Sequence, residues 1–411
     1  MNSWARLLLV TALLTGVLAA CAPAGDPGLG SPSASPSATP SPAPTASDSP
    51  STPTPAPSVT PSPTPELTWE RIDALPGAGD STAVAAVARG GPGFVAIGYD
   101  PGIGTPIWSS PDGRTWTGVP QPPEITTAAM ADVTTDGQRL VAVGRGDTTN
   151  VEHHVAAAWI SEDGAAWRHV ADSPELDGGQ MIDVIATENG FVAVGGIIAA
   201  DAAAVWTSPD GEVWQRAGAD APDFEHASMW AVSEGGPGYV AVGWRRNPEP
   251  DLAVWTSGDG DDWTLTPELP GAAGFQGRAI AGIDGELVIV GDLVGGGEAA
   301  VWRSADGTTW ERVASDTFAE ASMTDTVVSD GGLVAVGSHL DDAAVWTSAD
   351  GSSWRLAESE VFADAFLSRA IATPDGVLAV GATQSLVPGT DGSYVWAPAV
   401  WLGTRSGVAA P

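Results

Sequence analysis

The residues best suited to chemistry are few, and they sit where the chain is least regular. Trp244-Arg245-Arg246 places an indole beside two guanidiniums in a chain of 411 residues that has 51 acids and no lysine. Such a pair can clamp a carboxylate, and the indole face can take a cation, a sugar ring or a peptide plane. Four of the five histidines, His153, His154, His226 and His339, fall in similarly irregular segments, and only His169 lies in strand-like sequence. Their spacing matches no ligand motif, so neither a metal nor a cofactor is expected. With so many carboxylates, no catalytic pair stands out from the rest.

A repeat positions these residues. Ala-Val-Trp-Thr-Ser-Pro-Asp-Gly-Glu-Val-Trp at 204–214 has close copies at 253–263, 300–310 and 344–354, and looser ones at 106–116 and 157–167. The tryptophans of each copy are eight apart: Trp108/Trp116, Trp159/Trp167, Trp206/Trp214, Trp255/Trp263, Trp302/Trp310 and Trp346/Trp354. Upstream of each lies a glycine-bounded apolar phrase, Gly-Phe-Val-Ala-Val-Gly at 190–195 and its variants, which reads as a buried central strand. A period of about 49 residues excludes the short helical repeats and suits a four-stranded blade. The expected fold is therefore all-β, a seven-bladed β-propeller of antiparallel four-stranded blades over residues 67–405. Ser-x-Asp-Gly between the tryptophans reads as a tight hairpin turn with glycine in the left-handed region. A three-residue loop there would set the two rings opposite each other, filling the space between blades. The seventh copy has Gly376–Gly381 and Ala399-Val400-Trp401 but lacks the turn and the second tryptophan. Thr68-Trp69-Glu70-Arg71-Ile72 matches Thr309-Trp310-Glu311-Arg312-Val313 and supplies the missing strand, which closes the ring; Trp396 gives an alternative register for that blade.

The turn resembles the Asp box of sialidase-like propellers, Ser-x-Asp-x-Gly-x-Thr-Trp. The copies are Ser110/Asp112/Gly113, Ser161/Asp163/Gly164, Ser208/Asp210/Gly211, Ser257/Asp259/Gly260, Ser304/Asp306/Gly307 and Ser348/Asp350/Gly351, each lacking the residue between Asp and Gly. The resemblance implies a structural turn remote from the ligand face. Function is then expected on the opposite face, which receives the variable segments 145–156, 196–203, 244–252, 292–298, 338–343 and 382–394. Trp244-Arg245-Arg246 is read there as a loop. Arg278 and Arg369 fall on first strands, which line the channel, and either point into it or pair with Asp183 and Asp325. A sialidase also needs an arginine triad and a Tyr nucleophile with a Glu partner, usually after an Arg-Ile-Pro start. This chain has Arg71-Ile72-Asp73 and three tyrosines, Tyr99, Tyr239 and Tyr394.

The first 20 residues carry Arg6, a short apolar run and small residues, as in an export leader too short to span a membrane. Leu18-Ala19-Ala20-Cys21 resembles the bacterial lipobox, which implies that Cys21, the single cysteine, is acylated and anchors the chain to the outer face of the cytoplasmic membrane or the cell envelope. Residues 21–66 are rich in Pro, Ser, Thr and Ala and read as a disordered tether; residues 406–411 read as a short tail. The net charge of −35 repels phosphate backbones, so nucleic acid is excluded as a partner. A monomer is expected. Three functions fit these features: a non-catalytic surface propeller holding a glycan, a peptide or an envelope protein, a sialidase-like glycoside hydrolase, and an assembly factor for a membrane complex. The first asks only for variable loops on a rigid ring.

Overall fold

The computed structural model describes residues 66–405 apart from 74, 80, 101–103, 122–124, 147–154, 219, 220, 247, 330 and 388–393. Cys21, the leader, the tail, His153 and His154 lie outside the described residues. Seven four-stranded antiparallel sheets follow one another along the chain and form a seven-bladed propeller. Blades 1 to 6 span 83–118, 129–169, 179–217, 227–265, 275–313 and 321–356. Blade 7 takes Ala365–Thr373, Gly376–Leu386 and Tyr394–Arg405 from the C-terminal end and Leu67–Asp73 from the N-terminal end. The pairing runs from Leu67 opposite Arg405 to Asp73 opposite Ala399, so the expected closure is present. Trp401 stands opposite Arg71 as Trp206 stands opposite Arg216, which fixes the register on Trp401. Trp396 lies farther along the same hairpin, edge-on to Phe366 at 5.0 Å.

Each first strand carries a bulge at the same place, for example between Met181 and Asp183. The bulge explains the glycine that ends each Val-Ala-Val phrase. A Cβ at Gly195, Gly243, Gly291, Gly337 or Gly381 would lie 2.0 Å from a first-strand carbonyl oxygen, which no side chain tolerates.

The first tryptophan of each blade is fully buried, and the second nearly so. Trp206 and Trp214 pack with Val141 and Val143 of the preceding blade, so the rings do fill the space between blades. They are not opposite each other, however. Trp263 pairs with Ser257, two residues beyond Trp255, because five residues rather than three form the turn. The longer turn lets the second indole reach back and donate from Nε1 to the turn glycine carbonyl, at 2.8 Å in Trp263. Most first tryptophans donate instead to an interblade segment, as Trp206 does to Glu175 O at 2.8 Å. Trp69 shows what the seam lacks. With no turn glycine ahead of it, its buried Nε1 has no acceptor among the described residues.

Candidate functional site

The two faces of the ring are built differently. On one, each Ser-x-Asp-Gly turn is closed by its own side chains. In blade 5, Ser304 Oγ accepts from Gly307 N at 2.8 Å, and Asp306 Oδ1 accepts from Thr308 N at 2.8 Å and Thr309 N at 2.7 Å. The six turn glycines have φ between 73° and 88°. A Cβ on Gly236, in the first hairpin of blade 4, would strike Asp306 O and the Gly307 Cα of the next blade, which shows the turns of adjacent blades resting on one another. Asp112, Asp163, Asp210, Asp259, Asp306 and Asp350 all have lowered pKa values. The amides of Thr115, Ala166, Asp262 and Thr309 are the largest cause at Asp112, Asp163, Asp259 and Asp306, and the Ser352 hydroxyl at Asp350. At Asp210 burial opposes the shift, and the Val213 and Glu212 amides outweigh it.

Between the faces, the first strands line the channel. The residue after each bulge is Ala86, Asp132, Asp183, Ala231, Ala279, Asp325 or Arg369. Each of the three aspartates reaches the next blade: Asp132 Oδ2 accepts from Val184 N at 3.1 Å, Asp183 Oδ2 from Val232 N at 2.9 Å and Asp325 Oδ2 from Ala370 N at 2.7 Å. Arg369 crosses the ring to Asp183 at 3.4 Å. Burial pushes Asp325 up to about 6 despite Arg369. Burial also raises Asp132, and it raises Asp183 further with help from the Asp132 charge. Burial works against the Arg369 charge, and Asp325, Asp132 and Asp183 outweigh it, holding its pKa above the usual arginine value.

The expected pairing of Arg369 with Asp183 is thus found, and the Asp325 charge acts on the same guanidinium, while Arg278 differs. It binds Asp292 of its own blade, Nε to Oδ1 at 2.7 Å, and its guanidinium lies 4.4 Å from the Trp230 ring centroid. Asp292 is fully buried and also accepts from Gln276 Nε2 and Ser322 Oγ. The stack replaces the aspartate tie where blades 4 and 5 carry alanine. Asp132 escaped the sequence reading, although a signal was present: Met130-Ala131-Asp132, Met181-Ile182-Asp183 and Met323-Thr324-Asp325 repeat Met-x-Asp at the bulge.

The loop face holds the exposed candidates. Trp244, Arg245 and Arg246 are not in a loop but end the second strand of blade 4, Gly238–Arg246, paired on both sides. Pairing continues that far because Asp251 and Pro250 of the next strand return directly opposite Arg245 and Arg246. Arg246 Nη1 meets Asp201 Oδ2 at 3.0 Å, and His226 Nδ1 meets the same oxygen at 2.9 Å. Arg245 Nε donates to Glu225 O at 3.2 Å, and the Arg246 guanidinium lies 5.5 Å from the Trp244 ring. Four of the expected residues therefore converge where blades 3 and 4 meet, around Asp201, which the sequence reading did not single out. His226 has φ of 56°, rare outside glycine, at a position where other blades carry Gly178, Gly274, Glu320 or Asp364. His339 ends the second strand of blade 6, opposite Asp342, away from this cluster. Tyr239 is buried in the core between blades.

No family model matches the chain, and no curated protein matches it. Among solved structures, a catalytically inactive virginiamycin B lyase from Staphylococcus aureus with quinupristin aligns at 10% identity with a TM-score of 0.54, covering 82% of this chain and 99% of that one. The likeness is one of fold. The phage phi92 endosialidase aligns at 10% identity and a TM-score of 0.49 over 84% of this chain and 70% of that one. A Trypanosoma rangeli sialidase aligns at 12% identity and 0.43 over 80% and 57%.

Proposed function

We propose that this chain is a surface-anchored, non-catalytic propeller that holds a glycan, a peptide or an envelope protein against its loop face. The anchor is an acylated Cys21, and the Pro/Ser/Thr-rich segment is the tether. The turns opposite are shortened Asp boxes with a structural role. The observation that carries the reading is the contrast between faces. Near-identical turns occupy one, whereas the other gathers Trp244, Arg245, Arg246, His226 and Asp201 from two blades, all at least partly exposed. Exposed aromatic and arginine side chains fixed by neighbours are the usual anchors of recognition. Assembly of a membrane complex is the same reading with an envelope protein as the ligand.

A hydrolase is favoured by one observation, the convergence of Asp132, Asp183 and Asp325 with raised pKa values. Against it, each of these carboxylates is engaged by an amide of the next blade, a structural duty. One experiment tests both. Glycan and peptide arrays are probed with the wild type and with Trp244→Ala combined with Arg245→Ala, alongside thermal unfolding and a fluorogenic sialoside assay. Loss of capture with unchanged unfolding is the expected result. Unchanged capture, or sialoside turnover that Asp183→Asn abolishes, overturns the reading.

A further inference from the structure

The loop face carries a second feature, distinct from the Trp244 cluster. In five blades the end of the second strand is pinned by the same backbone bond to the interblade segment: Ile198 N to Gly178 O at 3.0 Å, Arg246 N to His226 O at 2.8 Å, Val294 N to Gly274 O at 2.7 Å, Leu340 N to Glu320 O at 2.8 Å and Gln384 N to Asp364 O at 2.7 Å. These residues occupy one structural position, held in place by the ring and not by a floppy loop. Turn tips ordinarily take Gly, Asn, Asp or Ser. Three of the five positions are aliphatic instead, and exposed: Ile198 at 38%, Val294 at 43% and Leu340 at 55%. In blade 7 the apolar exposure moves two residues on, to Leu386 at 55%, which pairs with Tyr394 at 39%. Of the seven large hydrophobic residues exposed among the described residues, these five stand on the loop face.

The surroundings define what could cover them. Glu298, Glu320, Asp341, Asp342 and Asp364 are exposed beside Val294 and Leu340 or on the adjoining interblade segments. The nearby Arg312 is already bound to Glu298 at 2.6 Å and to Gly271 O at 3.2 Å. Anionic lipid headgroups and phosphate backbones are repelled by such a surface. A polypeptide carrying both Lys or Arg and apolar side chains satisfies both the acids and the aliphatics. The N-terminal strand begins at Leu67, opposite Arg405, at the turn-face end of blade 7, so the preceding chain joins the ring away from this arc.

We infer that the loop-face arc of blades 5 to 7, Val294, Leu340 and Leu386 with their flanking acids, docks a cationic amphipathic polypeptide segment. The inference rests on the loop face being the binding face and names the class of its partner. The test is fluorescence anisotropy of the full chain with a labelled peptide of alternating lysine and leucine. Lysine–serine and glutamate–leucine peptides of the same length serve as controls, with vesicles of anionic lipid as a separate probe. The lysine–leucine peptide is expected to bind, more weakly as salt rises, and to lose at least about tenfold in affinity when Leu340→Ser and Leu386→Ser are combined. Val213→Ser, on the turn face, is expected to leave it unchanged, and circular dichroism confirms that every variant is folded. Equal binding of the lysine–serine peptide, indifference to the double substitution, or capture by anionic vesicles overturns the inference. If the array ligands of the Trp244 cluster are still captured in that case, only this inference falls. If neither array ligands nor peptides respond to any loop-face substitution, the underlying reading falls with it.

Discussion

Aspartate serves the turn face and the channel in opposite ways. The six turn aspartates are largely solvated and accept bonds from amides or a hydroxyl of their own turn, so their ionised form is favoured. The three channel aspartates accept from amides of the next blade, and there burial outweighs the bonds, so their neutral form is favoured. The first group closes hairpins within a blade, and the second joins one blade to another. In these aspartates, repetition marks a hairpin that each blade closes alone. Irregularity marks places where the ring must act as a whole, or where it meets something else.

Removing the cation from the channel should break this contrast most severely. Arg369→Met leaves three buried carboxyls without a countercharge, and the expected loss is about 3–5 kcal/mol at pH 8. The loss should be clearly smaller at pH 5, where Asp325, held at about 6, carries its proton. Urea denaturation at both values reads it, and equal losses would assign the role of Arg369 to packing alone. A second, smaller effect follows from the signs of the shifts. Asp325 has a folded pKa of about 6, above the unfolded value of about 3.9, so its contribution is fully present below the latter and lost as pH rises through 6. The turn aspartates act in reverse, stabilising above about pH 4 and losing that effect as pH falls through their lowered values. Stability should therefore peak near pH 4 and fall from there to about pH 6, and Asp325→Asn should flatten that decline by on the order of 2 kcal/mol. A wild-type profile level from pH 4 to 6 would erase the distinction. More local, Ser304→Ala leaves the buried Gly307 N–H without its acceptor and should cost about 1–2 kcal/mol in thermal unfolding near neutral pH. No change there would remove the turn hydroxyl from the account.

Much of the ring was legible because its signals are local. The spacing of Trp206 and Trp214, the Val-Ala-Val phrases and the likeness of residues 68–72 to 309–313 gave blade number and closure, since each describes a hairpin or a strand of a repeated unit. The turn length was misread because Ser-x-Asp-Gly names its first residues but not the pairing that ends it; Ser257 opposite Trp263 shows where that falls. Trp244-Arg245-Arg246 was misplaced for a related reason, as charged residues at a strand end look like loop until the partner strand is known. Asp201 was missed because nothing near it in sequence points to His226 or Arg246.

By itself, then, the sequence determined the repeat, its period, the core positions and the strand borrowed from the N-terminal side, because these depend on contacts between residues close in the chain or on copies of one pattern. Only the tertiary structure decided which charges meet. Arg369 and Asp183 are 186 residues apart and face each other across the ring, and Arg246 reaches Asp201 from a different blade. The first pair arises from ring closure, which brings equivalent positions of all seven blades around one axis, and the second from the packing of neighbouring blades.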